Sequence, residues 1–474
     1  MPSADAKRPT SETLPPHAVP MRARSAWVMY DWASQPLYTL ILTFLFAPYF
    51  ATAVASSPER GQALWGYGAA IAGILIAIGS PFLGALADSG GRRKPWIALF
   101  ALVMAASMST LWWAEPNAGT TTVLMILVAF VLATAAAEFA TVFTNAMMPT
   151  LATPDQLGRL SGLGYAVGYA GGLASLVIMA GLVVTSPSTG KTLLGLDPIL
   201  TLDAAAREGD RLVGPFAAVW FLLFMVPFFL LVPDIRVARA DRPARAPLAE
   251  LVSTIKGLAH DGNMVRFLLA RMVYVDGLSA IFTFGGIYGT AVFGWTAFEL
   301  GLFGIILSVT GAIGAVVGGF LDDRIGAKRV IVIALTLLLA AAFGILSVTA
   351  THVLYSIPVT PRVAGAAPFS STGELVYLGF AMIIGFVAAP IQAASRSLLA
   401  RLAPPDKITQ YFGLFAFSGK VTAFAAPLLV ATVTQATGSQ RLGVAVIIVF
   451  LAVGLLLMFG VRERPAAAIK SSEV

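Results

Sequence analysis

Apolar residues in this chain neither alternate nor gather on one helical stripe; they run on, all round, between short polar breaks. Many of the runs reach the about 20 residues a helix needs to cross a bilayer. Reading them in order predicts spans over Ser25–Ala53, Leu64–Ala87, Trp96–Trp113, Thr121–Met148, Leu157–Val184 and Gly214–Val232. A second set follows over Met264–Thr290, Glu299–Leu321, Arg329–Val348, Leu375–Leu402, Tyr411–Thr434 and Leu442–Val461. Lipid offers no partner for exposed backbone groups, so a spanning segment is either a helix or a strand of a closed barrel. Barrel strands would alternate over about 10 residues, whereas these runs are uniformly apolar and rich in Gly and Ala. The pattern therefore predicts an all-α polytopic membrane protein with twelve transmembrane helices.

Composition agrees: 58% of residues are hydrophobic and 12% charged, against roughly 25% charged in soluble domains. There is no cysteine, which excludes disulfides, thiolate nucleophiles and Cys-based metal sites. The net charge of +7 comes from short loops rather than a nucleic-acid-binding patch. Arg92, Arg93, Lys94, Arg159, Arg236, Arg239, Arg324, Lys328, Arg401 and Lys407 fall on one side of the predicted topology, and Arg60, Lys191, Arg207, Arg211, Arg362 and Arg441 on the other. That asymmetry places both termini in the cytoplasm. Trp27, Tyr30, Trp32, Trp112 and Trp113 stand near span ends, where interfacial anchors belong.

The expected organisation is a disordered cytoplasmic tail over residues 1–24, a six-helix bundle over 25–232, a cytoplasmic linker over 233–263, a second bundle over 264–461 and a tail over 462–474. Within the linker, Leu248, Leu251, Val252, Ile255 and Leu258 recur at helical spacing and predict a short amphipathic helix on the inner membrane surface. A regulatory partner site is the alternative use of that stripe.

Two stretches repeat. Gly84-Ala-Leu-Ala-Asp88-Ser-Gly-Gly91-Arg92-Arg93-Lys94 follows the second span, and Gly319-Phe-Leu-Asp-Asp323-Arg324-Ile-Gly326-Ala-Lys328-Arg329 follows the eighth, with the Gly, Asp, Gly and basic positions at one constant offset. Tyr30-Asp31 to Thr39 likewise parallels Val275-Asp276 to Thr283. Two copies in corresponding spans imply parallel, pseudo-symmetric six-helix halves. Glycine permits a sharp turn, and the Asp can pair with the basic cluster or meet a neighbouring helix terminus. The duplicated loop resembles the signature of the major facilitator superfamily. Tyr30-Asp31-Trp32-Ala33, Asn145 to Pro149, Ser161 to Gly172, Asp276-Gly277 and Gln392 to Ser397 are similar to one branch of it, the autophagy-related vacuolar amino-acid effluxers and their bacterial relatives. The resemblance implies the major facilitator fold and alternating access, with Gly84, Asp88, Gly91, Arg92, Arg93, Asp323 and Arg324 in the gating loops, and amino-acid efflux as the substrate expectation. Lipid export, drug export and a transporter-fold receptor without net transport remain open alternatives.

Six residues with charged side chains fall inside predicted spans more than a turn from either end: Asp31, Glu138, Arg271, Asp276, Arg396 and Lys420. A lone charge at the bilayer centre costs roughly 3 kcal/mol or more, so these must face the bundle interior and pair, or line a path for solute and ion. At about 1.5 Å per residue, Asp31 lies roughly 9 Å from the inner start of its helix, and Arg271, Asp276 and Arg396 are similarly placed; these suit an inner gate as well as a binding site. Glu138 and Lys420 fall mid-span, the depth at which solutes bind between paired repeats. The uncharged polar residues Gln35, Asn145 and Gln392 complete the candidate substrate and coupling-ion set. An acid, Asp31 or Glu138, is expected to exchange a proton, with Lys420 or Arg396 pairing with it or with a carboxylate on the solute. The coupling ion is then a proton, or sodium. No Walker-type motif, metal-ligand cluster or catalytic elbow is present, so no cofactor, metal or catalytic residue is expected, and the partners are a small-molecule substrate and the bilayer. A monomer in the plasma membrane, the inner membrane of a Gram-negative cell, completes the expectation.

Overall fold

A computed structural model describes residues 19–186, 189–234, 247–258, 260–363 and 365–463; the expectations for the two tails fall almost entirely outside them. Six long helices come first: α1 (Met21–Pro36), α2 (Pro58–Gly90), α3 (Lys94–Thr110), α4 (Thr120–Ala146), α5 (Leu157–Ile178) and α6 (Glu208–Leu231). After the linker helix α7 (Pro247–Leu258) come α8 (Gly262–Phe293), α9 (Ala297–Ile325), α10 (Ala327–Leu346), α11 (Thr372–Leu402), the shorter α12 (Ile408–Ser418) and α13 (Ala425–Thr437), and α14 (Gln440–Phe459). The strands among the described residues, His352–Val353 and Ile357–Pro358, form one small hairpin in a loop. Among the described residues, eleven helices are long and apolar enough to span a membrane.

Local chemistry sets the helix ends. The Ser57 hydroxyl accepts from Arg60 N–H, Pro58 sits where a missing donor does no harm, and Gly91 ends α2 with φ 71°, which only glycine adopts freely. Reciprocal Ser/Thr and Glu caps start α9 (Thr296, Glu299) and α11 (Ser371, Glu374). Pro36 has no N–H to donate, and just past it the first span widens into π turns over Leu37–Phe44 before running on to Val54.

Ile71, Ile74, Leu75, Ile78 and Phe82 form an exposed apolar stripe along α2, as do Leu124, Val128 and Leu132 along α4. Such stripes are compatible only with lipid as their solvent. Two expected interfacial aromatics belong instead to the core: Trp27 is 1% exposed and Tyr30 2%. Trp27 Nε1 donates to the Thr144 carbonyl and Tyr30 Oη to that of Ala137, so their polar ends are satisfied by α4 rather than by the interface. Trp113 is exposed, as an anchor should be.

The eleventh span is not continuous. Residues 419–424 leave the helical ladder between α12 and α13, contrary to the unbroken Tyr411–Thr434 helix the pattern predicts. Pro427 supplies a physical reason: in an unbroken helix its ring would meet the Ala423 carbonyl, whereas in the first turn of a new helix its missing N–H has no partner to lose. Lys420 stands in this break.

On the linker helix, Thr254 faces inward and donates to Gln410 Oε1 at 2.8 Å, while Val252 and Ile255 remain exposed.

Candidate functional site

Arg396 of α11 is 3% exposed and reaches across to the first six helices. Its Nη1 lies 3.3 Å from Asp31 Oδ2 on α1 and 3.2 Å from Asn145 Oδ1 on α4. Its Nε donates to Ser161 Oγ at 2.8 Å and its Nη2 to the Ser161 carbonyl at 2.6 Å, both on α5. The Tyr165 and Trp27 rings flank the guanidinium at 4.7 and 5.2 Å. A planar fork of five donors suits this convergence of acceptors as an ammonium would not. Gly164 makes the room: a Cβ there would collide with Asp31 Oδ2 and lie 2.8 Å from Arg396 Nη2. Gly168 and Gly172 continue that face of α5 against Asp31, Gln35 and Thr39, and Gly314 and Gly318 of α9 face Phe386 and Pro390 of α11. Those glycine repeats are packing surfaces. Gln35 and Gln392 are half-buried beside these helices.

A second cation and carboxylate meet across the two sets of helices. Lys420 Nζ lies 3.2 Å from Glu138 Oε1, with side chains 34% and 20% exposed. The two carboxylates are equally exposed, Asp31 and Glu138 at 20% each, and the pairs differ in their cations, Lys420 at 34% against Arg396 at 4%. Arg271 of α8 does not join a carboxylate; its Nη1 donates to the Phe415 carbonyl at 2.6 Å and to Ser418 Oγ at 2.8 Å, capping the end of α12 where the span breaks. Asp276, one and a half turns on, is buried and apart from both pairs.

The repeated loops meet on the face where α1 begins and α14 ends. Asp88 accepts from the N–H groups of Thr409 (3.3 Å) and Gln410 (2.8 Å), the first turn of α12. Asp323 accepts from those of Gly158 (2.9 Å) and Arg159 (3.2 Å), the first turn of α5, and from Arg159 Nε at 2.7 Å. Each Asp thus places its charge on the helix N-terminus of the opposite half, and Arg93 Nε ties Thr409 Oγ1 at 3.0 Å. Gly84 allows the approach, since a Cβ there would lie 2.6 Å from the Thr409 carbonyl. Arg92 and Arg324 are exposed. The basic positions register one residue closer than the sequence repeat suggests: Lys94 Nζ bonds the Phe229 carbonyl and Lys328 Nζ the Phe459 carbonyl, so the second loop is one residue shorter between Gly and Lys. These hydrogen bonds and ion pairs between the halves lie on this face or at the level of the two central pairs.

A family profile described as "Vacuole effluxer Atg22 like" matches residues 62–468, most of the chain. The chain belongs to the Atg22-like family of major facilitator transporters. Within that family it is similar to the uncharacterized MFS-type transporter YxiO of Bacillus subtilis, 23% identical over 456 residues that cover 95% of this chain and 97% of the relative. It is also similar to Autophagy-related protein 22 of Cryptococcus neoformans, 26% identical over 62% of this chain and 51% of the relative; it spans about half the length of such fungal proteins. Among solved structures, the transporter FucP in the outward conformation aligns with a TM-score of 0.69 over 94% of this chain and 99% of FucP at 15% identity. A bacterial homologue of ferroportin in an outward-facing state aligns at 0.63 over 93% of this chain and 98% of that one, at 13% identity. These likenesses establish the fold.

Ser161, which the sequence offers only as the start of the Ser161 to Gly172 resemblance, carries two of the Arg396 contacts, and other residues around the Atg22-like site escaped the sequence. Asp234 and Glu463 cap α3 and α10, each accepting from two backbone N–H groups. Arg401 gathers Asp322, Glu463 and the Pro154 carbonyl. One signal was available: Val232-Pro-Asp234 and Val461-Arg-Glu463 put an acid two residues past the last valine of each half. On the opposite face, Arg362 joins Glu299 and Glu374, pinning its loop to the starts of α9 and α11.

Proposed function

We propose that the protein is a secondary active transporter that exports a small zwitterionic solute, an amino acid, across the plasma membrane by alternating access, driven by exchange with protons. The observation that carries the proposal is the Lys420–Glu138 pair, a cation and a carboxylate 3.2 Å apart, one from each set of helices, with its more exposed member, the cation, at the break in the eleventh span. A carboxylate on a solute can replace Glu138 at Lys420 while its ammonium replaces Lys420 at Glu138. The exchange keeps every charge paired inside the membrane, and that condition selects a zwitterion over a neutral solute or a lone anion. Asp31, Arg396 and Asn145, nearer the inner ends of their helices, hold the halves together, and Gln35 and Gln392 stand nearby as neutral hydrogen-bonding groups. The helix-capping aspartates Asp88 and Asp323 form the cytoplasmic gate. Both chain ends lie in the cytoplasm, and one chain contains the whole pathway, so the unit of function is a monomer.

Ligand that binds only the folded protein raises its stability by RT ln(1 + [L]/Kd), about 2.7 kcal/mol at 100 times Kd. Thermal unfolding of the purified protein against amino acids, dipeptides, sugars, nucleosides, lipids and lipophilic cations is therefore expected to single out amino acids. The gain should vanish in Lys420→Ala. Stabilisation by lipids or lipophilic cations alone would remove the support for a zwitterion.

A further inference from the structure

Asp276 on α8 is 2% exposed, and its Oδ1 has no hydrogen-bond partner. Beside it stands Thr422, whose Oγ1 is also buried without a partner. Thr422 belongs to the break between α12 and α13, two residues from Lys420. Among the described residues no Lys, Arg or His nitrogen pairs with Asp276, and the cations of the surrounding helices are committed elsewhere. Arg271 on the same helix caps α12, Arg396 of α11 holds Asp31, and Lys420 holds Glu138. The α14 helix presents Phe450 and Leu451 next to it at Gly277, and its Arg441 lies over Tyr355. The α13 helix has no ionisable residue, α9 carries its charges at its ends, Glu299 and Asp322 to Arg324, and Lys256 of α7 is exposed.

A carboxylate shut away from water with neither a cation nor a full set of donors is a high-cost species, and taking up a proton is the cheaper state. Protonation turns one oxygen into a donor that the Thr422 hydroxyl can accept, and in the charged form the same hydroxyl can donate, so Thr422 can partner Asp276 in both states. We propose that Asp276 with Thr422 is the proton-carrying site of the transport cycle, separate from the two cross-pairs. The inference rests on the transport function proposed above and specifies its coupling ion and carrier. Uptake forms one O–H bond on Asp276; release returns that proton to the side then open to water, and the carboxylate is left to be stabilised by water there. Because Lys420 and Thr422 share one non-helical stretch, a solute that draws Lys420 from Glu138 also displaces the partner of the Asp276 proton.

Infrared spectra of the full-length protein in lipid at neutral pH, without solute, test this. The wild type should show a carbonyl band of a buried, protonated carboxyl that is lost in Asp276→Asn, kept in Asp31→Asn and shifted in Thr422→Val. The Thr422→Val spectrum decides the matter should Asp276→Asn fail to fold. Wild-type and Asp276→Asn spectra that coincide, or a Thr422→Val band that does not move, would overturn the assignment. A band present in choline chloride and abolished by sodium chloride would also overturn it, in favour of sodium. The band is read without transport, so vesicles that move no solute would count against the transport function and leave the proton site standing. Flux that keeps its pH dependence in Asp276→Asn would count against this site alone.

Discussion

Arg396→Ala is expected to be the most destabilising single substitution in the central site. It removes the cation from Asp31 and the donors from Asn145 and from both Ser161 oxygens in one step. Breaking a buried pair from one side costs roughly 3–5 kcal/mol; Asp31 is itself 20% exposed, so the loss should lie toward the lower end of that range and come also from Asn145 and Ser161 left without their donor. The apparent melting temperature in detergent should therefore fall well below that of Lys420→Ala. Arg396→Lys should recover less than half of the loss, since a point-like ammonium cannot address three helices at once. Adding Asp31→Asn to Arg396→Ala should restore part of the stability by removing the stranded charge. Melting temperatures that rank Lys420→Ala below Arg396→Ala would show that Arg396 is not the latch between the halves.

Glu138→Gln and Lys420→Ala are expected to behave in the opposite way. Their side chains are 34% and 20% exposed, and exposed pairs contribute only about 0–1 kcal/mol to stability. Both variants should fold and melt near the wild type, yet solute flux in proteoliposomes should fall about 10-fold or more, the loss that accompanies a charge-assisted contact of roughly 1.5–3 kcal/mol. The reversed pair, Glu138→Lys with Lys420→Glu, should regain part of the flux, because it preserves the exchange of partners. Unchanged flux in both single variants would remove these residues from the solute path.

The helices and their approximate ends were legible because lipid forces long, uniformly apolar runs. The repeat around Asp88 and Asp323 was legible because the same turn is needed twice. The break at residues 419–424 was not, since hydropathy does not register backbone hydrogen bonding; Gly419, Lys420 and Pro427 together are the trace it leaves. The charged residues inside spans could be counted, but their pairing depends on which helices face each other, and that is fixed by contacts such as Gly164 against Asp31 and Gly84 against Thr409. Trp27 and Tyr30 were misplaced because an aromatic near a span end satisfies its polar atom equally well from the interface or from a neighbouring helix.

The absence of native cysteine allows the central claim, alternation between a latched and an open cytoplasmic side, to be measured by pulsed spin-label distances. Labels at Arg92→Cys and Asp406→Cys occupy exposed loop positions on the two halves. In lipid nanodiscs the account predicts a short distance for the latched state, a longer component that grows when the stabilising solute or the pH is changed, and a further increase in that component when Asp88→Asn weakens the cap on α12. A single short distance under every condition, unchanged by Asp88→Asn, would contradict it.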